Sequence, residues 1–375
     1  MKGDYKNRIN MFDFSKGTAM LLILSTYTLG RYDFFRNSPA LWFWMFIAYP
    51  GTAALFLVMG YWYKPKRTRQ LLMELRGSAL KLYAMTGLTA VIAALVFCWT
   101  DRAYIEQLGI RIPGIFLGYL FGYESSVMLR NVTVLEIGAM WYVLAYIVGI
   151  LILNLIFSTG IQEKKKAVVP VFVFLLAVVG LILGNVSILP YCLPQVLVTI
   201  QTLYYGYVLR QNGMMNRKWN IKDWLILLLG CVGTIGIYYG VSLIIGGVEG
   251  MFNRAAMLFA VPAGMMLLRL GQFLQKTDVF LTNLISLIGS KSMVLMAIFA
   301  VENIAFNWNY IMISDIMPEN EVVNALLILA LRIVIYTGIV LLLPIINQKL
   351  GRLRLKRQDR MSKKPADSVE KEKKS

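Results

Sequence analysis

The sequence predicts an all-α polytopic membrane bundle of about ten transmembrane helices, with both termini cytoplasmic. Three observations predict it: the composition, the length of the apolar stretches and the placement of the basic residues. Hydrophobic residues make up 58% of the 375 and charged residues 15%, against about 45–50% and about 25% in a soluble domain. The apolar stretches fall near 12–30, 41–63, 82–99, 137–158, 167–184, 190–208, 224–246, 255–273, 282–305 and 322–346. Each approaches the roughly 20 residues that cross about 30 Å of hydrocarbon as a helix.

The connections alternate in charge. With the N-terminus inside, the connections 1–11, 64–81, 159–166, 209–223, 274–291 and 347–375 carry 29 Lys and Arg, and those on the other side carry 6. Basic side chains translocate poorly, so this asymmetry sets both termini on the cytoplasmic side of a plasma membrane. It also explains the formal charge of +18 without a nucleic-acid partner. The first stretch is too long for a signal-peptide core and lacks a small-residue cleavage site, so it stays as span one.

One membrane domain over 1–346 follows, because no soluble-like interval separates the spans. Residues 347–375 mix Lys, Glu, Asp and Ser with few apolar residues. They read as a basic cytoplasmic tail without regular structure, resting on anionic lipid. The 100–136 connection is aromatic and apolar but broken by Pro113, Gly114, Gly118 and Gly122. That pattern predicts an interfacial or re-entrant segment, since irregular backbone at membrane depth needs cover from protein.

The chemistry is limited from the start. The chain contains no histidine, which excludes an imidazole base. Cys98, Cys192 and Cys231 are isolated, without metal-ligand spacing, so no metal site is expected.

Three segments read together resemble the membrane acyltransferase-3 family. Asp13-Phe14-Ser15-Lys16-Gly17 opens an aliphatic run that ends at Tyr27, where the family carries a histidine. Gly51 to Trp62, followed by Lys64-Pro65-Lys66-Arg67, is similar to its Phe-rich second span and basic loop, with Met59 in place of the usual serine. Ile288-Gly289-Ser290-Lys291-Ser292 resembles the start of span nine, and Phe299 stands where a second family histidine often lies. Trp141-Tyr142 and Tyr205-Gly206-Tyr207 match an aromatic start of span four and exit of span six.

The resemblance implies transfer of an acyl group, acetyl above all, from acyl-CoA to a hydroxyl of a cell-surface saccharide or a lipid-linked acceptor. Under it, Tyr27 and Glu302 line the transfer path and Lys16 and Arg332 hold the donor. Tyrosine is a poor substitute for the missing base, because phenol titrates near 10. Glu302, near one end of span nine, is the internal carboxylate best placed to act instead. The alternative is a catalytically degenerate member that binds or translocates an acyl or lipid-linked ligand.

Ionisable residues inside spans add weight, since a charge in hydrocarbon costs several kcal/mol unless paired or wetted. Arg332 lies near mid-span and is expected to face the bundle interior. Lys16 sits about one turn inside its span and can reach the interface. Arg269 lies close enough to a span end to serve mainly topology.

Overall fold

The computed structural model describes residues 11–29, 31–32, 39–100, 108–123, 126–129, 132–160, 167–186, 189–216, 219–245, 261–274, 279–305 and 318–372. It is mostly helical. In chain order the helices are α1 (Met11–Leu29), α2 (Pro39–Trp62), α3 (Thr68–Gly77), α4 (Ala79–Thr100), α5 (Leu108–Phe121), α6 (Met140–Ser158), α7 (Val168–Val186) and α8 (Leu193–Gln211). They continue as α9 (Ile221–Ile245), α10 (Val261–Leu274), α11 (Phe280–Ser290), α12 (Ser292–Ala305) and α13 (Glu321–Glu372).

Every stretch expected to span falls on helix within the described residues. Among the described residues, three qualify alone by length and hydropathy as membrane-crossing, Thr68–Val96, Met140–Ser158 and Glu321–Ile345, and the bent pair α11 and α12 makes a fourth if it is one span. Span nine is therefore not the continuous helix the sequence suggests. It bends by 74° between Ser290 and Ser292, because its two halves follow different partners. Residue 289 is a glycine whose backbone lies against the Asp13 carbonyl of α1, which commits α11 to α1. The following half packs instead on α4.

Motif glycines set the closest helix crossings. A Cβ on Gly17 would strike the Ile285 carbonyl oxygen, and one on Gly289 would strike that of Asp13. The α2–α8 crossing repeats the device, with Gly60 against the Leu203 carbonyl and Gly206 against that of Leu57. Small residues let helix backbones approach where lipid supplies no hydrophobic drive to associate. Along α1, the hydroxyls of Ser15, Thr18, Ser25, Thr26 and Thr28 bond back to carbonyls one turn earlier, so no polar group is left unmet in an apolar setting.

The 100–136 connection is more ordered than its broken pattern suggests. It holds α5 and a hairpin of β1 (Val127–Leu129) and β2 (Val132–Val134), paired antiparallel with Met128 opposite Thr133. Its glycines explain the order: Gly114 and Gly118 seat α5 directly on the Thr133 and Leu135 carbonyls. The Leu135 amide donates to the Gly114 carbonyl at 3.0 Å and the Tyr83 hydroxyl to the Tyr119 carbonyl at 2.8 Å.

The chain divides into two compact units, Met1–Leu329 and Ala330–Ser375. Backbone helix continues to Glu372, where the sequence reads as a tail without regular structure. Low hydrophobicity removes a packing drive, but Lys, Arg, Glu, Gln, Leu and Met are all good helix formers, so the preceding helix propagates. Asn320 starts that helix by accepting the Val322 and Val323 amides at 3.0 and 3.2 Å.

Candidate functional site

The two sequence segments that open spans one and nine meet in space. At the Met11 end of α1, Gly17 and Gly289 form the crossing, and the Lys16 ammonium pairs with Asp13 at 2.6 Å, both side chains 24% exposed. Lys16 thus already has an anion beside it, at i and i−3 on its own helix. An ion pair this accessible is worth only about 0–1 kcal/mol, so a phosphate could replace the carboxylate at little cost.

Three helical turns further, the Tyr27 ring meets Phe299 edge-on, with centroids 5.1 Å apart and planes at 82°. Phe299 is buried, and Tyr27 is half-buried. One turn beyond, the Arg31 guanidinium donates to the Asn303 side-chain oxygen at 3.0 Å. The contact positions are four residues apart on both segments, so the end of α1 with the turn after it runs beside α12 in the same direction. Glu302, half-buried, follows Phe299 by three residues, which puts it one turn along α12 from the ring contact.

Beside this line, the Tyr32 hydroxyl donates to the Asn324 side-chain oxygen at 3.0 Å, with both residues buried. Burial, reinforced by the Glu321 carboxylate and opposed by Arg31, pushes the Tyr32 phenol up to about 12. It is a neutral donor at any physiological pH. The Leu29 end of α1 therefore gathers Arg31, Tyr32, Glu302, Asn303, Glu321 and Asn324, a polar cluster rich in hydroxyl-binding groups.

Two of the four sequence-derived site residues, Tyr27 and Glu302, thus belong to one neighbourhood. Lys16 shares the α1 face with Tyr27, but eleven residues, about 16 Å of helix, separate them. Arg332 lies in the second unit and is 0% exposed, the full burial its mid-span position implies. Arg31 and Tyr32 were missed as site residues because they read as a connection. The available signal was the spacing: Arg31 follows Tyr27 by four residues, just past the end of α1. Among the described residues, no group of three acidic, Cys or His side chains could hold a metal ion.

Arg269 corrects a different expectation. It is 6% exposed, with its guanidinium carbon 3.9 Å from the centre of the Trp219 ring. It donates to the Met214 and Met215 carbonyls and to the Gln272 side chain, while Gln272 also reaches Met215 at 2.8 Å. A buried guanidinium needs such acceptors and a ring face to replace water. Its place is a clamp on the 212–216 turn, more than a topological charge.

No known protein family matches the chain, and neither a curated protein nor a solved structure is similar to it.

Proposed function

We propose that the chain is an integral plasma-membrane acyltransferase of the acyltransferase-3 type, with ten spans and both termini cytoplasmic. It transfers an acyl group, acetyl foremost, from acyl-CoA to a hydroxyl of a cell-surface carbohydrate. One observation carries the reading: Tyr27 and Phe299, the positions where the resembling family places histidines, are 272 residues apart in the chain and in ring contact in the fold. Nothing about aliphatic composition requires those two positions to meet.

In this reading the acceptor hydroxyl loses its proton to the Glu302 carboxylate and attacks the thioester carbonyl. The C–S bond breaks, a C–O ester bond forms, and the departing thiolate takes up a proton. Lys16 binds the anionic donor, and the polar cluster from Arg31 to Asn324 receives the hydroxylated acceptor. Tyr27 borders the path between them.

A second reading has its own support. Neither a phenol nor a phenyl ring is an ordinary neutral-pH base, a free phenol being ionised to only about one part in a thousand at pH 7. That favours a relative that binds or translocates an acylated or lipid-linked ligand without chemistry.

Purified full-length protein in lipid nanodiscs, given radiolabelled acetyl-CoA and a cell-wall saccharide fraction, separates the two. Transfer of label that is lost in Glu302→Gln and needs more donor in Lys16→Gln supports the enzyme. Saturable binding without thiol release supports the binder. Neither binding nor release would overturn both.

A further inference from the structure

Within the compact first unit, two groups of helices pack firmly among themselves and touch one another directly at few places among the described residues, with α6 packed on both. One body holds α1, α2, α7, α8, α10 and α11, closed by the reciprocal glycine crossings at Gly17 and Gly289 and at Gly60 and Gly206. Gly264 adds a third close approach, with its α-carbon face on Ala53 and Ala54 of α2. The other body holds α4, α5, the hairpin and α12. Its centre is Ala90, Ala94 and Ile115, with Val301 and Ile304 of α12 packed against them. Such close approaches leave each body little internal freedom, since packed interiors shift as units rather than deform continuously.

Among the described residues, the direct ties between the two groups are few and of a different kind, apart from the shared packing of α6 on α8, α4 and α12. Helix α12 meets α1 through the Tyr27–Phe299 rings and the Arg31–Asn303 hydrogen bond. The end of α5 meets the start of α8 where the Cys192 amide and thiol both donate to the Gly122 carbonyl, at 2.9 and 3.0 Å. That tie carries backbone strain: Tyr191 and Cys192, neither a glycine, both adopt left-handed conformations, with φ of 59° and 49°. Non-glycine residues hold such angles only where the surroundings over-determine them. The remaining direct link between α11 and α12 is the chain itself, bent by 74° at Lys291. Helix α6 lies along both bodies and packs most closely on α8.

The geometry points to a hinged opening. We propose that α12, α4, α5 and the hairpin swing together away from α1 about the Ser290–Lys291–Ser292 break, with Arg31–Asn303 and Gly122–Cys192 as latches at the far end. The movement parts the Tyr27 and Phe299 rings and opens the polar cluster at the Leu29 end of α1. A closed latch shields the site; a released latch admits a ligand too large to pass between packed helices. This motion goes beyond the acyl-transfer reading and holds equally for a binder.

The test reads distance, not turnover. In full-length protein carrying Cys98→Ala, Cys192→Ser and Cys231→Ala, nitroxide labels go on Phe116→Cys and Ile182→Cys, both exposed and on opposite bodies. Serine at 192 retains a donor for Gly122. Electron–electron resonance in nanodiscs should give a main distance with a minor longer component. Asn303→Ala should enlarge the longer component several-fold. Asn303→Asp, which makes the tie to Arg31 charge-assisted, should suppress it. A second label pair within one body, Phe116→Cys and Met85→Cys, should keep a single distance in every variant. The same distribution in both Asn303 variants, or a spread within the Phe116–Met85 pair, would overturn the proposal.

Discussion

The ring of Tyr27 lies edge-on to Phe299, centroid to centroid at 5.1 Å, and this contact joins the two segments that most suggest a chemistry. An edge-to-face pair of this kind contributes about 0.5–1.5 kcal/mol beyond the area it buries. It therefore holds the seam lightly. Under the proposed acyl transfer, the contact is a site position occupied by packing residues, with Glu302, Arg31 and Asn303 about one turn away.

The topology is the first expectation to check. In the Cys98→Ala, Cys231→Ala background, with buried Cys192 retained, Ser78→Cys and Asn212→Cys should react with a membrane-impermeant maleimide only after permeabilisation. Ser126→Cys should react in intact cells. All three positions are exposed, so reactivity reports sidedness. Labelling of Ser78→Cys from outside would reverse the orientation drawn from the basic residues.

The glycine crossings should be intolerant in a graded way. Gly17→Val and Gly289→Val place carbons on backbone oxygens that cannot retreat, and overpacking of this kind costs about 1–3 kcal/mol or more. Thermal unfolding in detergent should show a large loss or no folded protein. Gly77→Ala, with nothing within 4 Å of the added carbon, should be neutral or slightly stabilising because alanine favours helix. Equal behaviour of the two sets would show that α1 and α11 do not cross at this distance.

The Arg269 clamp predicts that charge alone is insufficient. Arg269→Lys keeps the cation but loses the fork that reaches both carbonyls and the flat face on Trp219. Unsatisfied buried acceptors cost about 1–3 kcal/mol. Limited proteolysis within 212–216 should become markedly faster, and Arg269→Leu faster still. Unchanged cleavage in both would reduce Arg269 to the topological charge its sequence position suggests.

Tyr32 gives a pH signature. Its phenol is raised above the ordinary value near 10, so the folded state favours the protonated form. The stability this contributes is complete below pH 10 and is lost as pH rises through about 12. The phenolate absorbance of the native protein minus that of Tyr32→Phe should show an inflection near 12. An inflection near 10 would mean the Tyr32–Asn324 hydrogen bond is open to water.

Much of this architecture was legible because it follows from periodic composition. Apolar length located the helices, whereas the close approaches at Gly17, Gly60, Gly206 and Gly289 show only in the fold, because each depends on a carbonyl of a helix distant in the chain. The break at Lys291 was not legible, since Leu287 to Met296 keeps a helical pattern and only the competing pull of α1 and α4 bends it. The hairpin after α5 was hidden for a related reason: Val127 to Val134 is short, and its place is set by the Thr133 and Leu135 carbonyls lying against Gly114 and Gly118 of α5. Arg31 escaped notice because a cation just past a helix end looks topological until its partner Asn303, 272 residues away, is seen. Arg269 escaped for the same reason, its acceptors being backbone carbonyls of a turn.

The most direct test of the central claim replaces Tyr27 with histidine and measures acyl transfer from acetyl-CoA across pH. A histidine there, against Phe299 and one turn from Glu302, would supply the base that the chain lacks. General acid–base catalysis typically contributes 10²–10⁴-fold. Tyr27→His should therefore raise the rate roughly 100-fold, about 2.7 kcal/mol of barrier, with an inflection near 6.5, while Tyr27→Phe folds normally and gains nothing. A Tyr27→His protein that folds, binds acetyl-CoA and shows no increase in transfer at any pH would contradict the placement of the site at the Tyr27–Phe299 contact.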